Sequence, residues 1–396
     1  MPTTLDVRSN VRALYAMVET TYATDPDPDG SSYSPLPATD VSDPKEGKEP
    51  LPIQYADGTN YPSEAIDGPD SWELKFSTPA IGLNGAAGNG VNASTRPFTY
   101  MDLLLMHLFG ARTHFAGSTI ATGGSSVITL GTDTHDAGNI LAVFEAAQLR
   151  AQAAVISAAT GAQYDLEPDL EFAVTTAGVS YGPRVYSDVV GGGDTLAFCL
   201  VRGATRQTYL GGARTGVKLK LVPGKPAMYE WTFRGDTVIR ETTGKASLPA
   251  ALLRPPIPEI MANVAPVFIN GMDLGEIGAV DIDFGVQPMQ IASVHGTING
   301  RAGDEVGRLE PTVTVNPIHD LDRYDSVRNA AGGRLLVQIG DGALAGGNIN
   351  MQVLVLDNAR YMKAEPQADG NLRRVQLAFN TANPGATGSY CRLALV

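Results

Sequence analysis

The chain has 396 residues, 43% hydrophobic and 18% charged, which excludes a disordered chain and provides for one full core or two. Its 42 acidic and 29 basic side chains leave a net charge of −13, which argues against tight phosphate binding through a basic face. No run reaches the ~20 apolar residues of a membrane span. The opening MPTTLDVRSN is not built as a secretory signal, and two distant cysteines, Cys199 and Cys391, exclude a disulfide framework and a thiolate zinc site, so a soluble protein of a reducing compartment is expected.

Within residues 5–20, Val11, Leu14, Tyr15 and Val18 recur at helix-like spacing, but the run is too short to separate helix from strand. Between Tyr22 and Trp72 stand nine prolines, three of them as Asp25-Pro26, Asp27-Pro28 and Asp43-Pro44. Proline removes amide donors and extends the preceding residue, so 22–71 is expected to be a long extended arm without a core, disordered or held by another surface. Its other prolines include Pro35, Pro37, Pro50 and Pro52. SWELKFST, 71–78, alternates as a half-buried strand, with Trp72, Leu74 and Phe76 on one face. PFTYMDLLLMHLFG, 97–110, repeats apolar residues at three and four, from a Pro97 suited to the first turn to a Gly110 suited to the stop, and predicts a helix.

Residues 136–161 are ambiguous: alanine richness favours a helix, whereas the flanking runs 126–130 and 170–176 read as strands. Beyond 191 the pattern is strands and turns. Val217, Leu219 and Leu221 oppose Lys218 and Lys220; after the turn Pro223-Gly224-Lys225-Pro226, Tyr229, Trp231 and Phe233 alternate with Glu230, Thr232 and Arg234. Further alternating runs fall at 280–284, 287–298, 335–339, 351–356, 375–379 and 390–396, with a proline-rich link at 254–266. The expected architecture is mainly β, an antiparallel sandwich or barrel with one short helix.

No pattern points to catalysis, a cofactor or a metal. His107 and His114 stand seven apart with Gly110 between them and no carboxylate at ligand spacing. His135, in Thr132-Asp133-Thr134-His135-Asp136, fits a self-capping turn and lacks a calcium loop's ligand ladder. Asp281 and Asp283 share one strand face, which alternation makes a solvated one. The glycine run 82–90 is followed by no Gly-Lys-Ser/Thr.

Several segments, in order, resemble the tail tube (major tail) proteins of long-tailed phages with non-contractile tails. VETTYATDPDPDG, 18–30, resembles their opening motif; WELKFSTPAIGLNGAAG, 72–88, a strand followed by a small-residue loop; and FTYMDLLLMHLFGA, 98–111, their short helix. The stretch from Ser125 to Ser187 looks like a small β-module inserted in such proteins, in which the counterparts of LAVFEAAQLR and AQAAVISA are strands. Residues 200–236 resemble their central hairpin, and NARYMKAEPQADGNLRRVQLAFN their closing strands. The longer arm at 26–70 and the alanine-rich strands of the module depart from the pattern.

The resemblance implies a virion protein without catalytic residues or cofactors, assembled in the host cytoplasm into six-membered rings that stack as a hollow tube. It divides the chain into 1–115, the first part of the tube domain with its arm; 116–190, a module on the outer surface; and 191–396, the rest of the tube domain. Its partners would be further copies of itself, then tape-measure, tail terminator and baseplate proteins, with transient passage of double-stranded DNA. Six copies at −13 would carry −78 per ring, and acidic walls let a duplex slide, with Asp281 and Asp283 as candidate lumen-facing acids. Lys218 and Lys220 find cross-strand partners such as Glu230 more simply than acids of a neighbour. The arm, with Asp25, Pro26, Asp27, Pro28, Pro35, Pro37, Pro44, Pro50 and Pro52, would lie on a neighbouring subunit, so deleting 24–70 would spare the monomer and abolish tubes. Alternatives are a capsid decoration or baseplate hub component, or a β-rich carbohydrate-active enzyme, for which 7% aromatic residues is a poor endowment.

Overall fold

Alternation of apolar and polar residues with a period of two dominates the chain, and the molecule it builds is antiparallel and mainly β. The computed structural model describes residues 12–52, 65–82, 100–115, 117–131, 135–145, 150–175, 179–181, 183–189, 195–202, 205–241, 247–251, 260–261, 266–292, 301–318, 327, 333–340, 350–369, 372–381 and 389–396. In chain order, β1 (Arg12–Val18), β2 (Ser34–Leu36), β3 (Lys45–Pro52) and β4 (Ala65–Pro79) lead to α1 (Tyr100–Phe109) and β5 (Gly110–His114). A closed barrel follows: β6 (Ser118–Gly123), β7 (Val127–Leu130), β8 (Ile140–Glu145), β9 (Arg150–Thr160), β10 (Gln163–Glu167) and β11 (Val179–Tyr181). The chain returns through β12 (Arg184–Asp188), β13 (Leu196–Arg202), β14 (Thr205–Leu221), β15 (Met228–Gly235), β16 (Thr237–Glu241), β17 (Val267–Ile269), β18 (Met272–Asp273) and β19 (Ile277–Asp283). It ends with β20 (Val286–Ala292), β21 (Arg301–Leu309), β22 (Thr312–Pro317), β23 (Gly333–Ile339), β24 (Gln352–Asp369), β25 (Leu372–Thr381) and β26 (Cys391–Leu395).

The long strand β14 belongs to two sheets. Its first half pairs with β13 and β16, and its second with β15 and β19. One sheet therefore runs β2-β1-β13-β14-β16, and the other β3-β4-β15-β14-β19-β22-β25-β24-β26-β12-β5, with β23, β17 and β18 branching from β24. Trp72, Leu74 and Phe76 of β4 and Tyr229, Trp231 and Phe233 of β15 line the shared core, each side chain contributing about 1.5–3 kcal/mol by burial. Phe233 packs on Phe198 and Phe76 at centroid distances of 4.7 and 5.8 Å. Trp72 lies over the backbone of β14 and β15 and donates its Nε1 hydrogen to the Leu210 carbonyl at 2.9 Å. Such an approach requires glycine: a Cβ on Gly235 would sit 2.5 Å from Trp72 Cζ2.

The helix α1 is buried in this core on nearly every side, Asp102 and His107 included, which fits a mainly apolar helix enclosed between sheets. Residues 5–20, open between helix and strand, include β1, a strand because Leu14 and Ala16 face the main core while Tyr15 faces a second one.

The segment 22–71 differs from the expectation of an arm without a core. Tyr33 and Leu36 are 1% and 2% exposed, β2 pairs with β1, and Thr39 bridges to Ser77 before β3 pairs with β4. Residues 19–33 cover the outer face of the first sheet, where Tyr15, Ala23, Tyr33, Cys199 and Leu210 pack together. Proline density indicates extended backbone; it says nothing about which surface receives it, and here much of that surface is the chain's own.

The alanine-rich stretch forms strands β8 and β9. Leu141, Val143, Ala154 and Ile156 fill the barrel, while Ile140, Ala142, Phe144, Ala151, Ala153 and Val155 pack on Val353, Val355 and Ala394 of the main sheet. A strand buried on both faces loses its alternation, and alanine then serves close approach rather than helix formation. The run 170–176 is no strand where described; Leu170, Phe172 and Val174 still plug the barrel, held by amide bonds from Leu170 and Val174 to the carbonyls of Ser125 and Gly124.

Candidate assembly surfaces

The outer face of the second sheet carries the acids singled out in the sequence. Register places Ser77, Glu230, Lys218, Asp283, Thr312 and Asn380 in one row across six strands, with Lys220, Asp281 and Thr314 in the next. Lys218 Nζ lies 3.0 Å from Asp283 Oδ2, and Lys220 Nζ 2.8 Å from Glu230 Oε1. The Asp283 carboxylate, by hydrogen bond and charge, raises the Lys218 pKa. Both lysines thus have partners within the chain. Glu73 and Lys75 pair at 3.1 Å on the same face, and Arg234 and Lys45 stand opposite Glu73, so the face mixes both signs and the −13 of the chain is not concentrated here. A strongly acidic wall at Asp281 and Asp283 does not follow from this geometry.

The arm residues divide. Asp25 accepts hydrogen bonds from the Tyr33 hydroxyl and the Asp27 amide, both at 3.1 Å, and Asp27 in turn accepts from the amides of Asp29, Gly30 and Ser32. These bonds to backbone amides hold the Asp27 carboxyl below its ordinary pKa. Pro26 and Pro28 occupy the same turn; Pro35 stands opposite Tyr15 in β2, Pro37 is buried and Pro44 half-buried. Pro50 and Pro52 fall in β3 opposite Asp67 and Ala65. Because β3 has one ladder partner among the described residues, these prolines remove donors from an edge, where they are tolerated and discourage further pairing. Strands β5, β16 and β18 also have one ladder partner each among the described residues and carry no proline.

Three buried polar groups escaped the sequence reading. Glu19, 3% exposed, accepts from the amides of Gly211 at 2.7 Å and Ala23 at 3.0 Å and from Thr195 Oγ1 at 2.6 Å; burial raises its pKa despite these bonds. Asp102 of α1, fully buried, meets Arg112, Tyr186 and, at 3.1 Å, Arg184 Nη1. Beside it, burial and the two guanidinium charges lower the His114 pKa. Asp357 receives Arg392 Nε at 2.9 Å and Arg334 Nε at 3.2 Å, while Arg334 Nη1 reaches Glu167 of the barrel at 2.6 Å and Arg392 donates to the Gly138 carbonyl. Gln338 adds a 2.8 Å bond from the Ala153 amide, so the barrel is fastened to the main sheet by both polar and apolar contacts. An aspartate inside an apolar helix was the one available signal, since a buried carboxylate requires a partner.

His107 stacks on Phe233 at 5.6 Å, and His135 lies 5.8 Å from the Tyr164 ring, both core positions. Among the described residues no three His, Cys, Asp or Glu side chains are grouped to hold a metal, and no helix is long and apolar enough to cross a membrane. The run 83–90 and His295 and His319 lie outside the described residues. No protein-family model matches the chain, and a search of curated proteins finds no similar sequence.

Proposed function

We propose that this protein is a structural subunit that polymerises with copies of itself, and specifically a tail tube subunit of a long-tailed phage, stacked as six-membered rings around a bore for DNA. The observation that carries the reading is the long antiparallel succession from β3 to β5, whose two end strands each have a single partner among the described residues. A sheet with open margins is completed by pairing, and identical chains meeting head to tail close into a ring. Pro50 and Pro52 restrict pairing at that margin to Lys45–Glu49, so β5 of one copy would meet the first half of β3 of the next. The motif resemblance over most of the chain supplies the particular assembly, with tape-measure, terminator and baseplate proteins as further partners and the phage virion as its location. The barrel, entered from β5 and left through β12, would project outward, since bulk in the bore would obstruct the duplex. No catalytic step belongs to this reading.

Native mass measurement across a concentration series tests it. Six-subunit species or long polymers are expected; a strict monomer at the highest concentration overturns it.

A further inference from the structure

Arg214 is unlike the other buried cations. It stands in β14 beside the bulge between Arg214 and Gly216, and its register partner is Phe233. It therefore faces the interior, on the side where a Cβ on Gly212 would meet Trp72 and Phe198. The side chain is 2% exposed, and Nε, Nη1 and Nη2 all lack a hydrogen-bond partner among the described residues. Burial alone, with no neighbouring acid to oppose it, pulls its pKa down to about 9. Arg184 and Arg392, of similar burial, each hold a carboxylate. A guanidinium has five donors and no acceptor, and burying it without a partner is costly, so a methionine of similar length would fit the free subunit better.

Its position suggests what the charge is for. Along one margin β14 pairs with β13 up to Gly212 and with β19 from Lys218 onward; between these, 213–216 have no ladder partner on that margin among the described residues. Arg214 thus sits at the seam where the two sheets part. We propose that Arg214 is an assembly latch: association of a second copy opens this seam, and the guanidinium exchanges its apolar surroundings for a carboxylate of the neighbouring chain. The inference rests on the assembly reading above. A chain with 42 acidic and 29 basic side chains has an excess of carboxylates to offer across a contact between copies. The relief of an unpaired buried charge then favours the assembled state over the free one.

The full chain is compared with Arg214→Met and Arg214→Lys. Arg214→Met is expected to raise the urea midpoint of the free subunit and to weaken polymerisation, followed by sedimentation, about tenfold or more, while Arg214→Lys, which offers the neighbour's carboxylate an ammonium without the guanidinium fork, should fall between Arg214→Met and the parent. If Arg214→Met lowers the midpoint, the guanidinium is already paired and the latch is refuted. If it polymerises like the parent, the latch is refuted while the assembly reading stands. If the parent itself forms no polymer, the assembly reading fails and the latch with it.

Discussion

Replacing Asp357 by alanine tests the docking of the barrel most sharply. Asp357 is 6% exposed and lies between two guanidinium groups, accepting from Arg392 Nε at 2.9 Å and Arg334 Nε at 3.2 Å. The two arginines are not equally dependent on it. Arg334 has a side chain 24% exposed and keeps Glu167, whereas Arg392, 4% exposed as a residue, would retain the Gly138 carbonyl but no counter-charge of its own among the described residues. Burial already depresses the Arg392 pKa, and Asp357 is the main opposing influence. Removing one partner of a buried ion pair costs about 3–5 kcal/mol, and the bond retained to Gly138 places the expected loss near the lower end, about 3 kcal/mol. Urea unfolding measures it, and amide exchange locates it: β8 and β9 should lose protection more than β15. Adding Arg392→Met to Asp357→Ala should recover part of the loss, because the orphaned charge is gone. A loss under about 1 kcal/mol, or no recovery in the double variant, would refute the clamp.

Other perturbations follow from the same contacts. Glu19→Ala strands two buried amide donors and should cost about 2–4 kcal/mol in urea unfolding. Because burial raises the Glu19 pKa, the proton is held more tightly in the folded chain. Its contribution is therefore complete below the ordinary value of 4.5 and declines as pH rises through the folded value, so the gap between parent and Glu19→Ala should narrow from pH 4 to pH 8. Gly235→Ala would force its Cβ onto Trp72 and the Leu210 carbonyl, each 2.5 Å away, and should cost about 1–3 kcal/mol with a shift in tryptophan fluorescence; an unchanged spectrum and midpoint would contradict that packing. Lys218→Ala breaks an exposed pair with Asp283 and should alter stability by under about 1 kcal/mol, fading with salt; a larger, salt-insensitive loss would mean the face is covered. Deleting 24–52 removes β2, β3, Tyr33 and Leu36, so circular dichroism should show loss of the folded monomer, in place of the intact monomer that an arm without a core would leave.

Strands with one wet face were legible: Trp72, Leu74 and Phe76, or Val217, Leu219 and Leu221, announce their register by alternation, and both sets lie in the core. The helix was legible from Phe98 to Gly110 by its spacing, and α1 spans Tyr100–Phe109. What failed to show was any element whose second face meets something distant in sequence. Ala151 and Ala153 read as helix formers because the Val353 and Val355 that cover them lie some 200 residues on. Pro35 and Pro37 read as an unattached arm because their support, β1 and the nearby core, is not encoded beside them. Alternation puts Asp281 and Asp283 on the polar face of their strand, where the structure has them, but the lysine beside Asp283 belongs to another strand, so the balance of charge on that face was invisible until the register was known.

Copies of this chain are proposed to assemble around an open bore. Electron microscopy of the concentrated full-length protein addresses it directly: uniform hollow cylinders, or rings with a central pore, are the predicted result, and isolated particles or closed aggregates without a pore would contradict it.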